Sequence, residues 1–258
     1  MLGIYSGGFM KLEGRVAVIT GSARGIGKRM AEKLAVQGAA IVISDLDGAG
    51  AKDTADAIAS AHGGKTLHLA CDVRKPEDIG TLMQAALDRF GRIDILVNNA
   101  GICPITPVEE ITLEEWNRVL SVNLTGVFFC CQTIAPIMKR QRRGKILNLA
   151  SIAGKVGGVA AGAHYSASKA GVICLTKVFA KLLGPFGVNV NAVAPGPVDT
   201  VMIRDFSPEA REILVNQCPL GRIADTDDIA DAGVFLLSDA AKHITGETLN
   251  INGGLLMD

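Results

Sequence analysis

Short β-branched runs alternate along this chain with longer stretches in which apolar residues recur at helical spacing. The strand candidates are Val16-Ala17-Val18-Ile19, Ile41-Val42-Ile43, Thr66 to Cys71, Ile95-Leu96-Val97, Ile146-Leu147-Asn148-Leu149 and Val188-Asn189-Val190-Asn191-Ala192-Val193. Most are close to continuously apolar, which suits strands covered on both faces. Residues 26–37, 48–62, 77–90, 112–140 and 164–183 read as helices. The β-α-β-α alternation predicts an α/β fold: a doubly wound parallel sheet in a three-layer α-β-α arrangement. One long irregular stretch, about 195–224, opens with Pro195-Gly196-Pro197. It is a candidate substrate lid, because long loops in compact domains are commonly functional; plain loop variation is the alternative.

Composition narrows the picture. At 258 residues with 48% hydrophobic content, the chain can bury one sizeable core, so residues 11–258 are expected to form a single domain. Residues 1–10 read as an N-terminal extension, since Met10 opens MKLEGRVAVIT just before the first strand signal. Twenty-six basic residues balance twenty-six acidic ones, so no net field recruits nucleic acid or an anionic membrane. The opening MLGIYSGGFM has no basic segment ahead of an apolar one, and no later apolar run is read as reaching the roughly 18 residues of a membrane span. Six cysteines without a CxxC pair suggest a reduced, cytoplasmic chain. His62, His68, His164 and His243 lack metal-ligand spacing, so they read as surface or packing histidines and no metal site is expected. Trp116 reads as a core or interface residue.

Candidate chemistry begins at Thr20-Gly21-Ser22-Ala23-Arg24-Gly25-Ile26-Gly27, which follows a strand and opens a helix. Glycines there allow a tight turn and close backbone approach to a pyrophosphate at the helix N-terminus, the cradle of a Rossmann-type fold. The next strand ends in Asp45, eighteen residues beyond Gly27. A carboxylate at that place accepts from both adenosine ribose hydroxyls and repels a 2′-phosphate, which points to NAD over NADP. Arg24 is the counter-signal: a guanidinium beside the turn either pairs with a 2′-phosphate or braces the loop. Asp72 either caps a helix or meets the adenine edge.

Tyr165 and Lys169, spaced i,i+4, lie on one helix face about one turn apart. A free phenol has a pKa near 10, and a nearby ammonium and an oxidised nicotinamide are both expected to favour its phenolate, so that Tyr165 can take or give a proton. A tyrosine packed on a lysine stem has the same spacing, so the pair alone is weak. Ser151 strengthens it, because it ends a strand at the carboxyl edge of the expected sheet, where ligands bind; a turn-making serine is the alternative.

Taken with Asn98-Asn99-Ala100-Gly101, Asn123, and Pro195-Gly196 with Thr200, these segments resemble the short-chain dehydrogenase/reductase family from about residue 11 to the end. The resemblance implies a catalytic tetrad of Asn123, Ser151, Tyr165 and Lys169, with Asn123 holding a water beside Lys169 and Lys169 gripping the nicotinamide ribose. It implies that Gly21, Ser22, Arg24, Gly25, Ile26 and Gly27 cradle the cofactor. Asp72 and Val73 would meet the adenine, Asn99 would shape the floor, Val198 and Thr200 would receive the carboxamide, and Pro195 and Gly196 would be further cofactor contacts. The expected activity is hydride transfer between NAD(H) and a secondary alcohol or ketone of polyol, sugar or simple type. The alternative is a 3-oxoacyl-carrier-protein reductase using NADPH; the basic run Lys139, Arg140, Arg142, Arg143 reads first as a solvated helix end favoured by the dipole and otherwise as a dock for an acidic carrier protein. The family also implies a homotetramer built on helices 112–140 and 164–183. Two departures stand out: fourteen positions separate Ser151 from Tyr165, one more than usual, and Thr226, read as a helix N-cap, stands where relatives often carry proline.

Overall fold

The computed structural model describes residues 11–158, 161–200 and 208–257, so the extension 1–10 lies outside it. Seven parallel strands form one sheet in the order β3-β2-β1-β4-β5-β6-β7: β1 Val16–Thr20, β2 Ala40–Asp45, β3 Thr66–Ala70, β4 Ile95–Asn98, β5 Gly144–Leu149, β6 Val188–Pro195 and β7 Thr248–Ile251. The order reverses at β1, which pairs β2 on one side and β4 on the other, and the cleft at that switch point is where a doubly wound sheet receives its ligand.

Helices cover both faces, as the apolar strands require. Helices α1 (Gly25–Val36), α2 (Gly48–His62) and α9 (Thr226–Leu237) bury Leu34, Ile58 and Val234 against Ile19, Ile43 and Leu147. On the other face α3 (Pro76–Phe90), α5 (Gly126–Gln141) and α7 (Ala163–Leu183) bury Leu82, Ile134 and Val172 against Val18, Leu96 and Ile146. The three-layer expectation therefore holds.

Several boundaries differ from expectation. The helix read over 112–140 is α4 (Leu113–Leu120) and α5 joined by a π-helical turn, Ser121–Thr125. One extra residue per turn shifts the helical phase, and such turns collect at functional sites. Leu113–Gln141 is also long and apolar enough to cross a membrane by length and composition, against the expectation of no such run. Its apolar side chains Val127, Cys131, Ile134 and Met138 instead cover the sheet. Strand β7 went unread because it is short and half polar. The stretch 195–224 is not wholly irregular: α8 (Pro208–Gln217) lies within it, while residues 201–207 fall outside the described chain. Its base is closed where Val198 bridges Ala224. The N-cap of α9 is Asp225, not Thr226; Asp225 accepts from Asp228 N while the Asp228 carboxylate accepts from Asp225 N, a reciprocal capping box. A short helix, α6 (Ala153–Val156), follows Ser151.

Candidate active site

At the carboxyl edge of β1 the chain turns through Gly21, whose φ of 63° is left-handed and whose added Cβ would sit 2.6 Å from the Ala100 Cα. Gly27 is as constrained, since a Cβ there would meet Asn99 Nδ2 at 2.4 Å. Asn99 itself donates to the carbonyls of Thr20 and Gly21, so the loop after β4 clamps the glycine turn. Helix α1 then begins at Gly25 with exposed Arg24 as an N-cap that makes no side-chain cap bond, and with no acid in its first turn. Those uncapped N–H groups and the dipole's positive end fit a pyrophosphate. Ser22 is buried, and its hydroxyl ties the turn to Ile19 O and Ser44.

Asp45 stands beside this cradle, its two oxygens accepting from Ala23 N at 3.0 Å and Asp47 N at 3.1 Å. Those bonds orient the carboxylate and leave further lone pairs for ribose hydroxyls. Asp72 caps nothing: Lys75 is the N-cap of α3, and the Asp72 carboxylate is taken by the Arg74 guanidinium and amide, which hold it below the usual carboxylate range. Val73 is buried against Gly126.

The proton-transfer candidates converge at the ends of β4 and β5. Ser151 follows β5, and its hydroxyl lies close enough to the Tyr165 phenol to favour the phenolate. Lys169, fully engaged inside the fold, donates from Nζ to Leu149 O at 2.5 Å and lies 5.6 Å from the centre of the Tyr165 ring. Burial lowers its pKa to about 8. The π-helical turn brings Asn123 inward, where its Oδ1 accepts from Ile102 N at 2.8 Å and its Nδ2 donates to Ile102 O and Ser168 Oγ. Asn123 Oδ1 and Lys169 Nζ both flank Gly101, within 3.4 and 3.6 Å of where a Cβ would stand. All four tetrad residues are thus gathered at one sheet edge.

The protein's own residues do not by themselves favour the phenolate. Desolvation, aided by the nearby Cys103 thiol, pushes the Tyr165 phenol above its ordinary value, and the Ser151 hydroxyl only partly opposes this. Lys169 does not offset it, because with its own pKa lowered to about 8 it has lost its proton before the phenol titrates. Burial therefore favours the neutral phenol at Tyr165.

Pro195 O accepts from Ile152 N at 3.0 Å and Gly196 N donates to Ile251 O, so the end of β6 is pinned beside Ser151 and β7. Val198 is buried next to it and Thr200 N donates to Val198 O. Among the described residues no group of three metal-ligating side chains occurs. His62, His68 and His243 are exposed, whereas His164 is completely buried and hydrogen-bonded. Trp116 is half-buried on α4. From sequence, Cys103, Glu115 and Ser168 carry no assigned role and His164 reads only as a surface or packing histidine; their links to Ala161, His164, Asn123 and Glu115 join segments far apart in the chain.

A family model described as enoyl-(acyl carrier protein) reductase matches residues 21–256. A solved short-chain type dehydrogenase/reductase from Mycobacterium marinum superposes with a TM-score of 0.92 at 33% identity, over 97% of this chain and 98% of its own. The chain belongs to the short-chain dehydrogenase/reductase family. It is accordingly an oxidoreductase. Among family members it resembles, the 3-oxoacyl-[acyl-carrier-protein] reductase FabG of Vibrio cholerae is 41% identical over 96% of this chain and 100% of its own. The Aquifex aeolicus reductase of the same name is 41% identical over 95% and 99%. These relatives stand nearer the alternative raised from sequence than the alcohol dehydrogenase reading.

Proposed function

We propose that this short-chain oxidoreductase reduces the keto group of a 3-oxoacyl thioester to the 3-hydroxy form with NADH. The reading rests on end-to-end identity of 40–41% to reductases named for that substrate. Ser151 holds the keto oxygen, and Tyr165 gives that oxygen its proton. A neutral phenol suits this direction, since reduction consumes a proton at oxygen. Lys169 orients the ribose and, protonated below about pH 8, stabilises the phenolate left behind. Asn123, locked to Ile102 and Ser168, keeps the floor of the site in place and supports a water path to Lys169. The nicotinamide, when bound, supplies the hydride.

The cofactor assignment rests on Asp45, whose carboxylate ends β2 beside the glycine turn, where an acid would repel a 2′-phosphate. Gly21 to Gly27 cradle the pyrophosphate, Asp72 and Val73 border the adenine, and Pro195 to Thr200 meet the carboxamide. A carrier protein is the proposed partner, docking its acidic surface on Lys139, Arg140, Arg142 and Arg143 in the cytoplasm. A homotetramer is proposed through α5 and α7, which leave Phe128, Val178 and Leu182 exposed.

Asp45 also favours a second reading, NAD-linked oxidation of a polyol, sugar or simple secondary alcohol. The family model's description names enoyl reduction, but the Ser151–Tyr165 hydroxyl pair is built to hold an oxygen. The test is a panel with NAD(H) and NADP(H): acetoacetyl thioesters of coenzyme A and of carrier protein, a crotonyl thioester, and polyols and secondary alcohols. Fastest turnover of the acetoacetyl thioesters with NADH supports the reading. Exclusive alcohol oxidation or strict NADPH use overturns it.

A further inference from the structure

His164, immediately before Tyr165, is fully buried, yet its ring makes two directed hydrogen bonds. Its Nδ1 accepts from the backbone N–H of Tyr165 at 2.8 Å, and its Nε2 lies 2.8 Å from Glu115 Oε1 on α4. An acceptor at Nδ1 carries no proton, so Nε2 does and donates to the carboxylate. The N-terminus of α7 explains the need. Its N-cap is Gly162, which has no side chain to accept the orphan N–H groups of the first turn. The imidazole performs that capping from inside the helix, for the N–H of Tyr165 itself.

The surrounding residues are built to allow it. Gly162 has φ 73°, and a Cβ there would press within 2.7 Å of the His164 ring, so glycine is required on two counts. Thr106, in the segment leading from Gly101 past Cys103 to α4, also lies beside the Glu115 carboxylate and favours its charged form. One carboxylate therefore joins the loop after β4 to the start of the catalytic helix.

We propose that Glu115 and His164 act as a positioning pair that holds Tyr165 in register with Ser151 and Lys169. The proposal rests on the assignment of Tyr165 as proton donor. The imidazole caps the Tyr165 amide, and the carboxylate prevents the ring from turning away. Misplacement of a reacting group by about 1 Å can cost on the order of a hundredfold in rate, so the pair is expected to govern kcat more than cofactor KM.

The chain holds two tyrosines, Tyr5 and Tyr165, so ¹⁵N-tyrosine labelling isolates the amide in question, with Tyr165→Phe assigning it. Side-chain amides imitate one ring nitrogen each: Asn at 164 places an acceptor near Nδ1, and Gln places a donor near Nε2. H164Q should speed hydrogen exchange of the Tyr165 amide about tenfold and lower kcat for acetoacetyl-CoA reduction by about tenfold or more. H164N should retain most of both. E115Q, which can still accept, should outperform E115A. Equal behaviour of H164N and H164Q, or kcat losses that merely follow the thermal midpoint, would overturn the pair. If Tyr165→Phe kept full turnover, the proton-donor assignment would fail while the exchange measurement still reported on the cap.

Discussion

Strand β5 has a buried lysine at each end, and the two differ in almost everything but their titration. Lys145, near its amino end, and Lys169, reaching its last carbonyl from α7, are both lowered to about 8 by desolvation. Lys145 donates to Asn189 Oδ1 at 2.9 Å, and Asn189 is itself oriented by the carbonyls of Lys242 and Ile244. Around it stand Arg15, Arg143 and Asp239, already paired with one another. Lys169 has the Tyr165 ring beside it and faces the Asn123 carboxamide across Gly101. A perturbed lysine is thus not a site by itself. The carboxyl edge, where loops diverge at the switch point, leaves one end open to a ligand, while Lys145 at the amino edge is held by polar packing.

The comparison breaks most easily on activity. Tyr165→Phe is expected to cut turnover between about a hundredfold and ten-thousandfold, with NADH binding by nucleotide fluorescence little changed. Lys145→Met should leave steady-state turnover within about threefold of the parent; a loss matching that of Lys169→Met would erase the distinction between the two ends. Next in size is Asp45→Ala. Losing charge-assisted bonds to the ribose should shift the ratio of kcat/KM for NADH over NADPH by about tenfold to a hundredfold. An unchanged ratio would remove Asp45 from cofactor choice.

Stability sharpens the same contrast. Each lysine binds its proton less tightly folded, at about 8, than at its ordinary 10.5. Between those values the unfolded chain carries more protons, so stability rises with pH, and the burial cost is at its fullest below pH 8. Urea unfolding of Lys145→Met should therefore show its stability relative to the parent falling by up to about 3 kcal/mol from pH 8 to 10.5. A pH-independent difference would mean that the lysine is not desolvated. Smallest is Asn189→Ala, which leaves Lys145 without its hydrogen-bond acceptor and should cost about 1 to 3 kcal/mol in unfolding free energy with turnover preserved.

Much of the site was legible because it is local. Glycine positions in a strand-turn-helix, Asp45 at the next strand end, and Tyr165 one turn before Lys169 depend on backbone rules acting within a few residues. The α/β alternation was legible for the same reason. Asn123 was a polar residue in a helix until the π-helical turn aimed it at Ile102. Glu115 and His164 lie forty-nine positions apart and carry no pattern that joins them. Helix α8 sat unread in a stretch opened by prolines and glycine, and Asp225 rather than its neighbour Thr226 met the α9 amides.

Sequence by itself determined the parallel, doubly wound sheet, the phosphate cradle and the residue types able to move a proton, since periodicity and steric limits act along the chain. Tertiary structure alone decided how those groups titrate. Whether Tyr165 stands as a phenol, which of two buried lysines faces a ligand cleft, and what holds the first turn of α7 all depend on the water removed and the partners supplied by segments distant in sequence. Desolvation and hydrogen bonding are properties of the packed surroundings, not of the residue.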